Sequence, residues 1–520
     1  MNARYRKPLL WGAGLIAGGT LAILAVRHFG GDAAPAAPVA AAAQAQPAAA
    51  EPQAAQAGAD TPPWMQAEEP AAAGTAMQRA AAAAPPAAAA TDIGRSLADI
   101  RLKSGNNMRM ADDLLAQLDQ LEKAGKAPPP PGRSAVNVLV VSPHFPPNFQ
   151  NFARSLRAAG ATVLGLADAP PESLPAGLRE VLAECAFVPD LRDADAVLRA
   201  VAGLISRHGR LHRVESHTEH WLELDARLRE DFNIPGQRPA DLRLNRRKSA
   251  MKRRFQEAGI PCADGVPADC PRDVRALAAR AGFPLVLKPD VGVGAAGAFR
   301  VADADALEAA LPGPRPDLFA EATLTGGLVS FDGLADRHGT PVFWTSHRFS
   351  APILEVVEKG LPLHYWSVRD IPPRLEDLGR RAVAAFGIRE RFFHIEFFHG
   401  PDGEYRALEI NVRPPGGYTM DRMNFSADVD VYRWWADVAL GAPRSFDFTR
   451  RYGVAHASRR RGAAYRYAPD ELMARHGDLV VAHLELPAAF ATVMGDEAWL
   501  LRHPDAERLQ AAIADVDAAP

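Results

Sequence analysis

The segment from Phe393 to Gly417 constrains this 520-residue chain most, because it brings two acids, an amide and an arginine onto two short strands. FHIEFF alternates as a strand with one buried face does, and EYRALEINV alternates again after a Gly-Pro-Asp-Gly turn, which predicts a β-hairpin. If Glu396, Glu409 and Asn411 share a face, their oxygens suit Mg²⁺, and Arg413 adds a planar donor for a carboxylate or phosphate. Acids on such a hairpin can also be merely solvated, so both interpretations stay open at this point.

A glycine-rich segment follows the predicted strand Phe283–Asp290. Lys288 lies near the end of that strand, and Gly292, Gly294 and Gly297 then spell G-x-G-x-x-G. A dinucleotide-binding fingerprint opens a helix, whereas these glycines lead into AFRV, which has strand character. We therefore predict a loop between two strands, whose backbone N–H groups bind phosphates beside the Lys288 charge. An ordinary flexible hairpin is the alternative.

The basic segment Asn245–Pro261 reads as an amphipathic helix that stops at Gly259 before a proline. Lys248 lies in its first turn. Such a helix is most often a solvated surface and sometimes a nucleic-acid contact, so by itself it predicts no site. The chain has no G-x-x-x-x-G-K-[ST] sequence, which disfavours a P-loop enzyme.

In this order, the three segments resemble the ATP-grasp superfamily, of the carboxylate–amine or carboxylate–thiol ligase type, similar to biotin carboxylase-like and amino-acid ligase enzymes. The resemblance rests on a lysine opening a helix that ends in AGIP, a lysine before a glycine-rich loop, and E…ExNxR continuing as RPPGG. It covers roughly residues 136–520, and its specific motifs lie between Lys248 and Gly417.

The resemblance implies a nucleotide held between two α+β subdomains, with ATP and Mg²⁺ or Mn²⁺ as cofactors. The implied roles are phosphate binding by Lys248 and Lys288, a lid formed by Gly292, Gly294 and Gly297, a hinge acid beside the adenosine at Glu321, metal binding by Glu396, Glu409 and Asn411, and binding of the substrate carboxylate or the acyl phosphate by Arg413.

The chain departs from the family pattern at one position. Many relatives carry a second acid where Leu328 stands, which affects the expected ribose contacts. His347 and Arg348 are secondary candidates for the cleft, although a surface strand explains them equally well.

The predicted fold is α/β and α+β, in several domains. A parallel-sheet domain over 135–240 precedes the two-subdomain ATP-grasp region at 241–440, and a small α+β subdomain follows at 441–520. The segment VESHTEHWLE places Glu215, His217, Glu219 and His220 close together, but it lacks the HExxH spacing of a zinc site. We therefore expect structural roles there, and a substrate-facing loop end at Glu219.

The N-terminal quarter differs in kind. Residues 9–26 form a charge-free apolar run long enough for a transmembrane helix or signal anchor, residues 27–91 form an Ala/Pro-rich disordered linker, and residues 92–126 regain helical periodicity. Basic residues before the apolar run favour export of the rest of the chain, which conflicts with the use of ATP. We give the ATP-site residues more weight and predict a membrane-anchored protein with its catalytic part in the cytoplasm.

The resemblance implies an enzyme that activates a small-molecule carboxylate as an acyl phosphate for attack by an amine or thiol. An ATP-dependent carboxylase, a small-molecule kinase and a non-catalytic, membrane-tethered nucleotide-binding module are the alternatives. The net charge of −3 gives no reason to expect a nucleic-acid partner, and a homodimer is possible.

Overall fold

The computed structural model describes residues 136–292, 297–311 and 317–520. The predicted apolar run (9–26), linker (27–91) and helical segment (92–126) lie outside the described residues, as does Gly294. Within the described ranges, no helix combines the length and the apolar composition needed to cross a bilayer.

The first part of the described chain is the predicted parallel-sheet domain. Its four strands are all parallel, in the order β3-β2-β1-β4, and β1 is buried along its whole length. Near-continuous apolar strands of this kind are typical of a sheet covered on both faces. The elements are β1 (Asn137–Val141), α1 (Gln150–Ala158), β2 (Thr162–Ala167), α2 (Ala176–Arg179), β3 (Glu184–Phe187), α3 (Ala194–His208), β4 (Arg213–Glu215) and α4 (Leu222–Asp231).

A small antiparallel sheet follows, in the order β5-β8-β6-β7. The glycine-rich segment joins β6 to β7, which are antiparallel neighbours, so it connects two strands as predicted and does not open a helix. The elements are α5 (Pro239–Arg246), α6 (Lys248–Glu257), β5 (Gly265–Pro267), α7 (Pro271–Ala281), β6 (Leu285–Pro289), β7 (Phe299–Val301), α8 (Ala304–Ala310) and β8 (Leu318–Ala322).

The predicted single helix over 245–261 is wrong at its start, because the chain breaks at Arg247 and α6 begins at Lys248. The break has a cause distant in sequence. The backbone N–H of Lys248 donates to the carbonyl of Asp290, and the Asp290 carboxylate accepts from the N–H and the hydroxyl of Ser249. Asp290 thus satisfies free N–H groups at the start of α6 and fixes Lys248 beside the end of β6.

The rest of the chain builds one eight-stranded antiparallel sheet, in the order β13-β12-β9-β10-β11-β14-β16-β15. The strands after the predicted boundary at residue 440 add to the same sheet that holds the acidic hairpin. The elements are β9 (Gly327–Ala335), β10 (Pro341–Phe349), α9 (Ile353–Lys359), β11 (His364–Ser367), α10 (Pro373–Ala385), β12 (Phe392–His399), β13 (Tyr405–Asn411), α11 (Thr419–Ala427), α12 (Val431–Ala439), β14 (Gly453–Arg459), α13 (Pro469–His476), β15 (Val480–Glu485), α14 (Ala491–Met494), β16 (Glu497–His503) and α15 (Ala506–Asp517).

An aromatic core joins the parallel-sheet domain to the large sheet. Phe152 of α1 packs edge-on against Tyr432 and Trp435 of α12, with ring centroids 4.8 and 5.2 Å apart, and stacks on His217 at 3.8 Å. His217 is buried in this packing. One residue of the VESHTEHWLE segment therefore belongs to the core between the two sheets.

Candidate functional site

The acidic hairpin forms as predicted from strands β12 and β13. Glu396 lies directly opposite Glu409 in the register, and His394 lies opposite Asn411. Directly opposed residues share a face, and residues two apart on a strand share a face as well. Glu396, Glu409 and Asn411 therefore lie on one face, and all three are buried.

That face looks into a cleft between the small sheet and the large sheet. The volume of the cleft, measured as the space that the centre of a water-sized group can occupy, is about 140 Å³. Five of the residues predicted to bind nucleotide or metal line it, and they are Lys248, Lys288, Glu321, Glu396 and Glu409. Its apolar lining includes Val286, Ala298, Leu324, Leu328, Ile353, Phe398 and Leu408. We call this space the nucleotide cleft.

The positive side of the nucleotide cleft comes from α6 and β6. The Lys248 Nζ donates to the Gly292 carbonyl at 3.1 Å, which holds this lysine at the start of the glycine-rich segment. The Lys288 Nζ contacts the Glu321 carboxylate directly. Both lysines line the cleft, and both ammonium groups act electrostatically on Glu409, so the cleft suits an anion.

Sequence reasoning missed Lys252, which completes this cluster. Its Nζ lies 3.1 Å from Glu321 Oε2 and donates to the Ala407 carbonyl at 3.2 Å. Burial opposes the charged form of Glu321, but Lys252 and Lys288 outweigh it and lower the pKa of Glu321 to about 2. Lys252 lies four residues after Lys248, on the same helix face, and this spacing was the signal available in the sequence.

The role of Glu321 as a hinge acid beside the adenosine stays a prediction. Glu321 lies within β8 and lines the cleft, but two lysines engage its carboxylate. The chain after it, from Ala322 to Leu324, also lines the cleft.

The acidic side of the nucleotide cleft suits a hard divalent cation. Burial raises the pKa of Glu409, as do the nearby Glu219 and Glu396, while Lys248 opposes the shift. The ionised form of such a carboxylate is disfavoured, and a cation beside it would stabilise that form. The Asn411 Nδ2 is buried without a hydrogen-bond partner among the described residues, and a phosphate or a metal-bound water would satisfy it.

Two carboxylates and an amide fit Mg²⁺ or Mn²⁺, which prefer oxygen ligands and leave positions for water and phosphate. No group of three or more His, Cys, Asp or Glu side chains placed to hold a metal ion occurs in ranges 136–292, 297–311 and 317–520.

Arg413 lies just beyond the acidic strand and is buried. Its Nη2 and Nε donate to Glu219 Oε2 at 2.8 and 3.2 Å, and its Nη1 donates to the Pro414 carbonyl. The predicted carboxylate-binding arginine thus already faces the carboxylate of Glu219 from the parallel-sheet domain. The two side chains connect the domains at the edge of the site.

The glycine-rich segment is described at its two ends. Gly292 lies beside Lys248, and Gly297 has a φ of +69°, in the left-handed region that favours glycine. Leu328, where the resemblance implied an acid, lines the nucleotide cleft.

The interpretation of His347 and Arg348 as a surface strand holds for Arg348 and is wrong for His347. Arg348 is exposed, whereas His347 is buried and its Nδ1 lies 2.6 Å from Asp332 Oδ2. The opposite oxygen of Asp332 contacts His394 Nδ1, and His394 Nε2 reaches Glu396 Oε1 at 3.1 Å. Sequence reasoning missed this chain of side chains, which ends at a candidate metal ligand.

Comparison with known proteins gives a consistent result. No family model matches the chain. It is 24% identical over 273 residues to the L-arginine-specific L-amino acid ligase of Bacillus subtilis, which covers 48% of this chain and 64% of that protein. The matches span between 51% and 64% of the length of the curated relatives.

Solved structures match over a larger part of the chain. The L-amino acid ligase from Bacillus licheniformis superimposes with a TM-score of 0.57 at 17% identity, over 74% of this chain and 98% of that one. The biotin carboxylase domain of Hydrogenobacter thermophilus 2-oxoglutarate carboxylase, solved with MgADP and bicarbonate, gives a TM-score of 0.55 at 17% identity, over 73% and 90%. These similarities confirm the resemblance noted in the sequence, and the described chain has the fold of these ATP-grasp ligases.

Proposed function

We propose that this protein is an ATP- and Mg²⁺-dependent ligase that joins a small-molecule carboxylate to an amine. The observation that carries the proposal is the meeting of two lysines and two paired carboxylates in one cleft, beside a buried arginine. Phosphoryl transfer to a carboxylate needs positioning and charge neutralisation more than covalent help from the protein. The lining of the cleft offers both.

The basic and the acidic residues of the cleft have different roles in this proposal. Lys248 and Lys288 would bind nucleotide phosphates, while Lys252 and Glu321 keep Lys288 in place through the buried ion pairs. Glu396, Glu409 and Asn411 would hold Mg²⁺ or Mn²⁺, which neutralises phosphate charge when bound. The predicted role of the glycine-rich segment over the phosphates stays a prediction.

Arg413 is the candidate for the reacting carboxyl group. Its guanidinium group faces the Glu219 carboxylate. A substrate carboxylate or acyl phosphate would either displace Glu219 from the guanidinium group or bind the group beside it. The apolar walls at Leu324, Leu328 and Phe398 would limit the access of water to a labile acyl phosphate.

The identities of the acid and the amine are open. The amino-acid ligase relatives favour amino acids. The solved biotin carboxylase domain with bound bicarbonate supports one alternative, a carboxylase in which bicarbonate is the activated acid. Leu328 supports another, a nucleotide-binding module without turnover. The membrane anchor, the cytoplasmic placement and a homodimer stay predictions from sequence.

ADP release by the full chain, purified in a mild detergent, tests the proposal. MgATP would be supplied with pooled L-amino acids, other small carboxylates or bicarbonate, each with and without added amines. We expect release that requires both a carboxylate and an amine, and that falls about 10³-fold in Glu409→Gln. Glu404→Gln is the matched control, because Glu404 lies exposed in the turn of the same hairpin.

Three other outcomes each point elsewhere. Release driven by bicarbonate alone would support the carboxylase, and release driven by a single acceptor, which itself becomes phosphorylated, would support the kinase. Tight ATP binding without turnover in every pool would contradict the ligase and favour the binding module.

A further inference from the structure

A second, smaller cavity lies next to the nucleotide cleft and shares Ile353 with it. It has about 20 Å³ of room for the centre of a water-sized group, enough for about one such group. Pro415 and Gly416, which follow Arg413 in the chain, form part of its wall. Its position is therefore beside the place where the reacting carboxylate is proposed to bind. The rest of its lining is Ser330, Asp332, His347, Phe349, Leu363, Tyr365, His394 and Thr419.

His347 presents a free ring nitrogen here. Its Nδ1 lies 2.6 Å from the Asp332 carboxylate, so Nδ1 carries the proton and donates it to Asp332. The lone pair of the neutral ring is then on Nε2. That atom is buried and has no hydrogen-bond partner among the described residues, although His347 lines the cavity. A buried acceptor beside a cavity is suited to receive an N–H group.

Asp332 is itself fixed from both sides. His394 contacts its other oxygen, and the Ser330 hydroxyl donates to the oxygen that His347 uses. Because both carboxylate oxygens are held, the His347 ring has one orientation and one tautomer. This arrangement of an acid orienting a histidine is common where a histidine accepts a proton.

The charged and titratable groups around His347 keep the ring neutral. Burial lowers the pKa of His347 to about 4, and Arg422 and His394 act in the same direction against Asp332. The groups that act on the ring lie on four elements, with Asp332 on β9, Tyr365 on β11, His394 on β12 and Arg422 on α11. At neutral pH the Nε2 lone pair is therefore available.

We infer that this cavity receives the amino nitrogen of the amine substrate and that His347 Nε2 takes a proton from it as the C–N bond forms. The inference rests on the proposed ligase function and adds the site and the class of the nucleophile. The class is ammonia or a primary amine whose nitrogen enters the cavity while the rest of the molecule extends past Ile353.

The step balances in atoms and electrons. The uncharged amine attacks the acyl carbon with its lone pair, and the bond from that carbon to the phosphate oxygen breaks. Phosphate leaves with the electron pair. One N–H proton, made acidic by bond formation, passes to His347 Nε2 and then to the released phosphate or to solvent.

The test compares amines with hydroxylamine as nucleophiles toward the same set of acyl phosphates. The full chain would be given MgATP, pooled L-amino acids, ammonia and methylamine, and the amides formed would be measured by mass spectrometry. A parallel reaction would contain hydroxylamine, which is a reactive, weakly basic nucleophile and reports acyl phosphate as hydroxamate. We expect His347→Gln to lower amide formation about 100-fold at neutral pH while hydroxamate formation stays within about twofold of the wild type.

A structural role for His347 would lower both products together, and that result would overturn the inference. Unchanged amide formation in His347→Gln would overturn it as well, because the cavity would then hold only a trapped water. Arg348→Gln is the matched control, since Arg348 is the exposed neighbour on the same strand, and both products should be unchanged.

If His347→Gln fails to fold, Leu363→Phe gives a second test. Leu363 lines this cavity but not the nucleotide cleft, so the larger ring would fill the space for the nitrogen. We expect carboxylate-dependent ADP release to remain and amide formation to be lost, and amide formation at the wild-type rate would overturn the inference. A wild type that forms hydroxamate but no amide overturns this inference alone, whereas a wild type that forms neither product contradicts the proposed function too.

Discussion

Two buried clusters of charge in this protein have opposite surroundings. The first is the nucleotide cleft. The second, which we call the Glu215 network, consists of Glu215 with Arg213, Arg229 and Arg391, and it lies where the parallel-sheet domain meets the large sheet. Both bury several ionised side chains, but the residues of the Glu215 network do not line the nucleotide cleft.

The Glu215 network is closed on itself. The Glu215 carboxylate lies 3.2 Å from Arg213 and from Arg229 and contacts Arg391 more closely still. Burial opposes its charge, but the three arginines lower the pKa of Glu215 to about 2. The nucleotide cleft contains a matched carboxylate too, Glu321, but at its acidic side the pKa of Glu409 is instead raised. We therefore expect incompletely matched charge beside a cavity, and not buried charge alone, to mark a functional site.

Glu215→Gln tests the Glu215 network and should produce the largest effect, which is a loss of stability. The substitution leaves three buried or half-buried arginines without their shared anion, so we expect a loss of about 3 to 5 kcal/mol in the free energy of unfolding. Because Glu215 does not line the nucleotide cleft, ATP affinity per folded molecule should not change. Denaturation together with a nucleotide-binding titration checks both expectations.

Glu390→Gln is the control for this variant. Glu390 pairs with Arg213 at 2.8 Å from a more exposed position, so its loss should cost no more than about 1 kcal/mol. A fall in ATP affinity as large as the fall in stability for Glu215→Gln would show that the two clusters are energetically coupled, and the contrast between them would fail.

Arg413→Lys sharpens the comparison, because Arg413 shares one property with each of the two clusters. It is paired, like the Glu215 network, but it is also next to the candidate metal ligands. An ammonium cannot reproduce the two N–H groups that reach Glu219, nor a bidentate grip on a carboxylate. We expect about 100-fold slower carboxylate-dependent ADP release with little change in ATP affinity.

The variant Glu219→Gln separates the two roles of that arginine. If Arg413 serves mainly to join the domains, both variants will lower the thermal midpoint and leave the rate per folded molecule near the wild-type value. If it binds substrate, Glu219→Gln will retain much more activity than Arg413→Lys.

The site residues that could be predicted from sequence are those whose positions follow from their neighbours in the chain. The hairpin was predictable because a turn separates two alternating runs, and alternation places Glu409 and Asn411 on one face. The glycine-rich segment was recognised as a strand connection because AFRV follows it. The parallel sheet was predictable from a buried-type strand followed by a helix.

The features that the sequence concealed depend on partners far apart in the chain. Asp290 starts α6 from 41 residues away, and Arg413 meets Glu219 across 194 residues. The contact between His394 and Asp332 spans 62 residues. The sequence left His347 open between a cleft residue and a surface strand, because which side of a strand is covered depends on how the large sheet packs, and this is a tertiary property.

Asp421 gives the smallest expected effect and tests whether a raised pKa by itself marks a site. Burial raises the pKa of Asp421 to about 6, and hydrogen bonds from Asn148 and Tyr432 oppose the shift only in part. Asp421 lines neither the nucleotide cleft nor the second cavity. If unmatched charge matters only beside a cavity, this residue should affect stability alone.

The sign follows from proton binding. The folded state holds the Asp421 proton more tightly than the unfolded state, so its contribution to stability is full below about pH 4 and is lost as the pH rises through about 6. Asp421→Asn removes that loss, and its amide can donate to the Asn148 Oδ1, which lacks a partner among the described residues. We expect the variant to gain about 2 kcal/mol over the wild type above pH 7 and nearly nothing at pH 4.

Thermal midpoints of the two proteins across this pH range measure the gain, with Asp437→Asn as the control of opposite sign. Asp437 is a buried carboxylate that pairs with Arg433 and Arg444, so its neutralisation should destabilise the fold at neutral pH. A rate of ADP release that follows the protonation of Asp421 would contradict the comparison, because a carboxylate away from both cavities would then act in the reaction. An unchanged rate of ADP release together with a pH-dependent gain in stability would support the comparison. The charged groups that act in the reaction would then be those that line a cavity.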